Sequence, residues 1–325
     1  MTSEPKTLVI LDTNIIRNNL EWEKDFSVFE PRGDFLKLIE VIESSKLQNS
    51  IFVGLPEIVI EEFISNRSDN FKKQIEYLIS SYEKLKKVPC FDFSKIVIPS
   101  DSYDYNRFIK NKINEYLKNK PFIFVLNLEK KHYTKTLSTL MQKAVLKEQP
   151  FTDGGKGFKD ALIWEIILNF EQMDKYSHIF LLTENQRDFD NLSAKFNEKF
   201  SKELNLKANT TSLISNLEEI YGWRVKYSEM LSYLQSDYFE SKLIEFLTGS
   251  YELKMNGFSI LNILTISESS SEELKKFDLP IELEDVSNLL TVHFLFVNNA
   301  QKFDAKLIIE SVSKEIIDVY YEESK

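Results

Sequence analysis

One cysteine, Cys90, and three histidines, His132, His178 and His293, are all the soft metal ligands in the 325 residues. A lone cysteine excludes an intrachain disulfide framework, and these four residues are too few for a structural zinc site of the Cys/His kind. A reducing, cytoplasmic setting fits that composition. Long apolar runs are also missing: the longest, residues 8–11 and 122–126, are four and five residues. A bilayer-spanning helix needs about 20. No membrane partner is expected, and the N-terminus lacks the apolar core of a signal peptide. With 42% hydrophobic and 28% charged residues, the composition is that of a folded globular chain.

Positive charge is in deficit, with 41 Lys and Arg against 51 Asp and Glu, a net of −10. As a global figure this argues against a nucleic-acid partner, whose phosphates need clustered cations. Along the chain the picture changes. Residues 1–228 carry 33 basic and 33 acidic residues, whereas the last 97 carry 8 and 18, so the whole excess lies there. Residues 107–147 hold ten cations and two acids, a local +8, interleaved with Tyr105, Phe108, Tyr116 and Tyr133. A solvated pair of helix faces and a single-stranded nucleic-acid groove both fit that pattern.

The first 228 residues alternate short apolar runs with amphipathic stretches, which predicts an α/β domain with a central parallel sheet flanked by helices. Strands are expected at 7–11, 51–55 and 179–183. Helices are expected at 34–44, from Pro56, and at 71–85, 103–117, 133–146, 158–170 and 189–200. The basic stretch forms a helical insertion at about 90–150. From 229 to 325 a smaller β-rich (α+β) accessory domain is expected, acidic in charge. It has strand patterns at 251–255, 258–266, 290–297, 305–310 and 316–321 after a helix at 227–247, and a polar loop at 267–276. Thr291 and His293 alternate with Val292, Phe294 and Phe296, the period of a half-buried strand.

Acidic and amide side chains recur where such a sheet presents ligands, outside the carboxyl ends of its strands. Asp12 follows the first strand in LVILDTNI. Glu61 and Glu62 lie within the helix after the second strand, in LPEIVIEEF. Asp160 begins the apolar helix of DGGKGFKDALIWE, and Asn185 and Asp188 follow the third strand in IFLLTENQRDF. Carboxylates gathered there repel one another, and a hard divalent cation relieves the repulsion. Oxygen ligands without His or Cys favour Mg2+ or Mn2+.

In order and spacing these four motifs resemble those of PIN-domain nucleases, over about residues 6–225. The Asp-Thr-Asn turn is Asp12, Thr13 and Asn14; the second acid is Glu62 before Phe63; the third is Asp160; the last motif is Thr183, Asn185, Asp188 and Phe189. The resemblance implies a PIN-like fold and a metal-dependent endonuclease that hydrolyses RNA, ahead of single-stranded or flap DNA. Catalysis is expected from Asp12, Glu62, Asp160 and Asp188, with Asn185 joining them as metal ligands. Asn14 and Thr183 would support the ligands from behind, and Lys156, Lys159, Lys130 and Lys131 would contact substrate. Asn185 departs from the family by standing where a fourth carboxylate is usual. For stand-alone members the resemblance implies a toxin or phage-defence role controlled by a regulatory protein partner, with RNA processing as the alternative.

Three rivals are weighed. A haloacid-dehalogenase-like phosphatase needs a second Asp two residues after the first, and Asn14 stands there. A P-loop needs GxxxxGK followed by Ser or Thr, which GGKGF does not supply. An inactive PIN-like module that binds RNA or a protein partner has Asn185 as its support.

Overall fold

The computed structural model describes residues 4–17, 25–88, 103–151, 157–251, 257–277 and 286–324. Lys156, with the rest of the glycine turn up to Gly157, lies outside the described residues, as does the strand pattern at 251–255 except for Tyr251, which ends a helix. The chain divides into two compact units, Met1–Ile39 with Gln48–Leu213, and Glu40–Leu47 with Ile214–Lys325.

In the first, strand β1 (Thr7–Leu11) runs into a short helix α1 (Thr13–Arg17). Helix α2 (Gly33–Ser44) precedes strand β2 (Ile51–Pro56) and helix α3 (Glu57–Leu85). Helix α4 (Tyr105–Lys118), strand β3 (Ile123–Leu126) and helix α5 (Tyr133–Leu146) follow. Helix α6 (Phe158–Leu168) then leads to strand β4 (His178–Leu182), helix α7 (Asp190–Phe200) and strand β5 (Leu204–Lys207).

All five strands are parallel, in the order β3-β2-β1-β4-β5. β1 is the centre, with Val9 beside Val53 on one flank and Phe180 on the other. A central strand covered on both faces reads as an unbroken apolar run, and every residue of β1 is buried. Because successive strands are added first on one side of β1 and then on the other, the order reverses between β1 and β4. At such a switch point an open sheet leaves a crevice at its carboxyl rim.

The expected architecture is present, with corrections in detail. The helix from Pro56 and the helix at 71–85 are one element, α3, since no glycine or proline interrupts residues 57–85. Its length is about 43 Å at 1.5 Å per residue, yet its buried side chains, Val59, Phe63, Ile64, Arg67 and Ser68, all lie in its first half. The basic insertion is not purely helical. Its apolar run 122–126 forms edge strand β3, with Ile123 opposite Val53 and Phe124 opposite Gly54. A Cβ at position 54 would lie 2.7 Å from Leu126 Cδ1, so a side chain there would have to push the Leu126 side chain aside.

The second unit holds helices α8 (Thr210–Tyr221), α9 (Trp223–Lys226), α10 (Ser228–Leu234) and α11 (Asp237–Tyr251). Strand β6 (Ser259–Glu268), helix α12 (Ser271–Lys276) and strands β7 (Leu289–Asn298), β8 (Gln301–Glu310) and β9 (Ile316–Glu323) complete it. The strands form an antiparallel meander in chain order. Its core joins Leu231, Leu243 and Leu247 of the helices to Val292, Phe294 and Phe296 of β7 and Leu307 and Ile309 of β8.

The expected helix at 227–247 is split. The Ser236 hydroxyl accepts the backbone N–H of Phe239 and so starts α11 afresh. The expected polar loop at 267–276 is the end of β6 followed by α12, where Ser270 and Glu273 form a reciprocal capping box.

Candidate active site

Asp12 is the first residue past β1, at the switch point, and is buried. Its two oxygens are held by different elements. The Thr13 backbone N–H donates to Oδ1 at 2.6 Å, and the Thr183 hydroxyl, just past β4, donates to Oδ2 at 2.7 Å. The Thr183 Oγ1 in turn accepts the Asn185 N–H at 3.0 Å. Burial pushes the Asp12 carboxyl above the usual aspartate range; the two donors oppose this, and the charges of Glu62 and Glu184 add to it.

Glu62 reaches the same place from the second turn of α3. Its Oε2 accepts the Thr13 hydroxyl at 2.9 Å, while Oε1 pairs with the Lys159 ammonium. Thr13 therefore bridges Asp12 and Glu62. The adjacent Glu61 points elsewhere and pairs with Lys110 of α4 at 2.7 Å.

Asp160 lies in the first turn of α6. That helix is apolar on nearly every side, with Ala161, Ile163, Trp164, Ile166 and Ile167 all buried. Such a helix belongs inside a core, and its anchoring fixes where its head points. Gly157 caps it with φ of 102°. The Asp160 carboxyl is pushed up to about 6, by burial first and then by the charges of Asp12, Asp188 and Glu62. Asp12, Thr13, Asn14, Glu62, Gly157, Phe158, Lys159, Asp160 and Ile163 line one pocket of about 370 Å³.

The remaining expected residues are placed around that pocket or away from it. Asp188 is near enough for its charge to act on Asp160, and its own carboxylate accepts the Asn185 side-chain amide. Neither Asp188 nor Asn185 is among the pocket's lining residues. Lys131 pairs with Glu171, past the far end of α6 from Asp160, and with Glu129 at 3.1 Å; Lys130 adjoins it. Three of the aromatics interleaved with the basic stretch are packed rather than displayed. Tyr105 stacks on Phe71 at 4.2 Å, Phe108 lies 5.9 Å from Tyr105, and Tyr116 meets Phe29 edge-on at 5.2 Å. Tyr133 stays half exposed. Thr13, quoted in the first motif without a role, joins the site's hydrogen bonding, and Glu184, unexpected there, joins its electrostatics; Glu184 lies between the motif residues Thr183 and Asn185, which is the signal that could have found it.

The donors are carboxylate, hydroxyl and amide oxygens, a set that fits a hard divalent cation and not a soft one. Among the described residues, no three Asp, Glu, His or Cys side chains form a ready-made cage.

A parallel α/β sheet with a buried aspartate at its switch point, and two further carboxylates in the same pocket, defines an acid-lined α/β protein. The chain belongs to the PIN domain family: residues 9–189, more than half its length, match the PIN domain model, and the region beyond is additional. PIN domains are a family of metal-dependent nucleases acting on nucleic acid. No curated protein and no solved structure matches the chain. No helix among the described residues is long and apolar enough to cross a membrane.

Proposed function

We propose that this chain is an endonuclease that hydrolyses phosphodiester bonds of RNA, and secondarily of single-stranded DNA, using Mg2+ or Mn2+ held by Asp12, Glu62 and Asp160. Asp188 and Asn185 assist at the rim. The observation that carries this reading is the convergence of carboxylates from β1, α3 and α6 in one pocket of a PIN domain. A divalent ion bound there supplies charge neutralisation and acidifies water. The protein's own part is to hold the carboxylates in place and aimed into the pocket. Thr183 and the Thr13 N–H fix Asp12, the Thr13 hydroxyl fixes Glu62, and the packed α6 presents Asp160. Lys159, at the pocket's mouth, is the cation best placed to meet a substrate phosphate.

The test is cleavage of labelled single-stranded RNA and DNA by the full chain in Mn2+, Mg2+ and EDTA. Cleavage with metal, none in EDTA, and a loss of at least about 100-fold in Asp12→Asn and Asp160→Asn is expected from the cost of removing a group that acts on the reacting centre. Activity that survives both substitutions would sink the assignment. One observation favours the second reading, a binding module without chemistry: the absence of a ready-made cage among the described residues. That reading requires RNA binding that ignores divalent ions and both substitutions.

A further inference from the structure

Glu62 is held by two different kinds of partner. Its Oε2 accepts a hydroxyl fixed on the chain next to Asp12, whereas its Oε1 is held by Lys159, on a flexible four-carbon stem. The two ends of that ion pair differ in exposure: the Lys159 side chain is 55% exposed and that of Glu62 17%. Lys159 also immediately precedes Asp160 in the first turn of α6, so it is tethered to one pocket carboxylate while neutralising another. The result is a continuous chain of contacts, Lys159 to Glu62 to Thr13 to Asp12 to Thr183 to Asn185, in which the only cation is Lys159.

We infer that Lys159 is the site's resident counter-cation and a switch between metal and substrate: a divalent ion that takes Glu62 displaces the ammonium, which is then free to bind a phosphate of the nucleic acid. This rests on the metal-dependent reading above and adds to it a coupling between the two ligands. With the metal absent, Lys159 offsets the repulsion among Asp12, Glu62 and Asp160. With the metal present, an ammonium on the same oxygen becomes a like charge beside it and is repelled towards the pocket's mouth. A side chain that leaves one ligand's site to join another's makes the two bind cooperatively, and the coupling is reciprocal. Lys159 is thus a positioning residue for the ion and a direct contact for the substrate.

Opposite signs separate this from a structural role. Removing the ammonium with Lys159→Gln should tighten Mn2+ binding, read by calorimetry, by roughly 3- to 10-fold, the scale of one charge removed from a solvent-screened site. Lys159→Arg should keep the wild-type value to within about twofold, because it keeps the charge. Anisotropy with a fluorescent single-stranded oligonucleotide reads the other half. Lys159→Gln should bind no more than about twofold more weakly than wild type in EDTA, where Lys159 is engaged by Glu62 and only its offset of that charge is lost, and roughly 3- to 10-fold more weakly in Ca2+, as fits the loss of one charged phosphate contact. Equal or weaker Mn2+ binding by Lys159→Gln beside a wild type that binds Mn2+, or an oligonucleotide defect of equal size with and without Ca2+, would overturn the switch and leave the metal site standing. A wild type that binds no more Mn2+ than Asp12→Asn would remove the metal site, and the switch with it.

Discussion

Asp160 is the residue on which burial and charge act together. An ordinary aspartate titrates near 3.8, and here the carboxyl is pushed up to about 6. Between those values the folded protein keeps a proton that the unfolded chain has lost. Asp160 therefore contributes stability below about pH 4, and this is lost as pH rises through about 6. In EDTA at pH 7.5, Asp160→Asn should melt above wild type by roughly 2–4 °C, the shift that about 1 kcal/mol gives a domain of this size. The gap should close towards pH 4, and a variant that melts no higher at neutral pH would show that neither burial nor the neighbouring charges disfavour an ionised Asp160. Thr183 tests the opposing force. Thr183→Val deletes the hydroxyl that holds Asp12 Oδ2 and receives the Asn185 N–H, at a cost of about 1–3 kcal/mol for the buried Asp12 oxygen left unsatisfied; chemical denaturation reads it. That Asp12 and Asp160 would meet in one pocket was legible in the apolar runs beside them, which announce a strand end and a helix head, whereas Glu62 was singled out by its place before Phe63 in the resemblance to PIN domains. The bridging of Asp12 and Glu62 by Thr13 was not legible, since a hydroxyl's partners depend on which strands become neighbours.

At the scale of elements, the head of α6 depends on how closely it meets the chain before it. Gly157 adopts a positive φ, and a Cβ there would stand 2.1 Å from the Pro150 carbonyl oxygen. Gly157→Ala should cost at least about 1–2 kcal/mol from the left-handed backbone alone, and cleavage should fall because the clash must shift the turn that carries Asp160. Gly249→Ala, inside α11 with nothing within 4 Å of its Cβ, is the contrasting case. There the exchange should leave cleavage unchanged and stabilise by about 0.5–1 kcal/mol. If both variants behave alike in melts and cleavage, the role given to Gly157 is wrong. A second fastening lies at Arg67 of α3, whose guanidinium donates to the Asp25 and Val28 carbonyls at 2.8 and 2.7 Å and to the Tyr105 hydroxyl at 3.0 Å. This explains why Tyr105 and its neighbours belong to the fold rather than to a display of stacking rings. The long strands and periodic helices could be read from the sequence. β3 and β5, four residues each, could not, because a short edge strand is defined by its neighbour and carries too few residues to show a period.

For the whole molecule, the net charge of −10 describes neither the pocket nor the basic stretch. At least four of the ten cations between 107 and 147 are engaged by acids: Lys110 with Glu61, Lys112 with Glu115, Lys131 with Glu129 and Glu171, and Lys143 with the buried Glu165. The formal +8 therefore overstates what that stretch offers to phosphate. The second unit has a core of its own residues, in which Phe296 is ringed by Phe258, Phe294, Phe303 and Tyr321 at 4.9–6.1 Å. Phe296→Ala should cost about 3–5 kcal/mol there and leave Mn2+ affinity unchanged, as calorimetry would read it. Whether Asp12, Glu62 and Asp160 hold a catalytic divalent ion is decided by anomalous diffraction from crystals of the full chain soaked in Mn2+. An anomalous peak is expected in the pocket with oxygens of Asp12 and Asp160 as ligands, lost in Asp12→Asn. No peak there, or one whose ligands include none of the three carboxylates, would contradict that assignment.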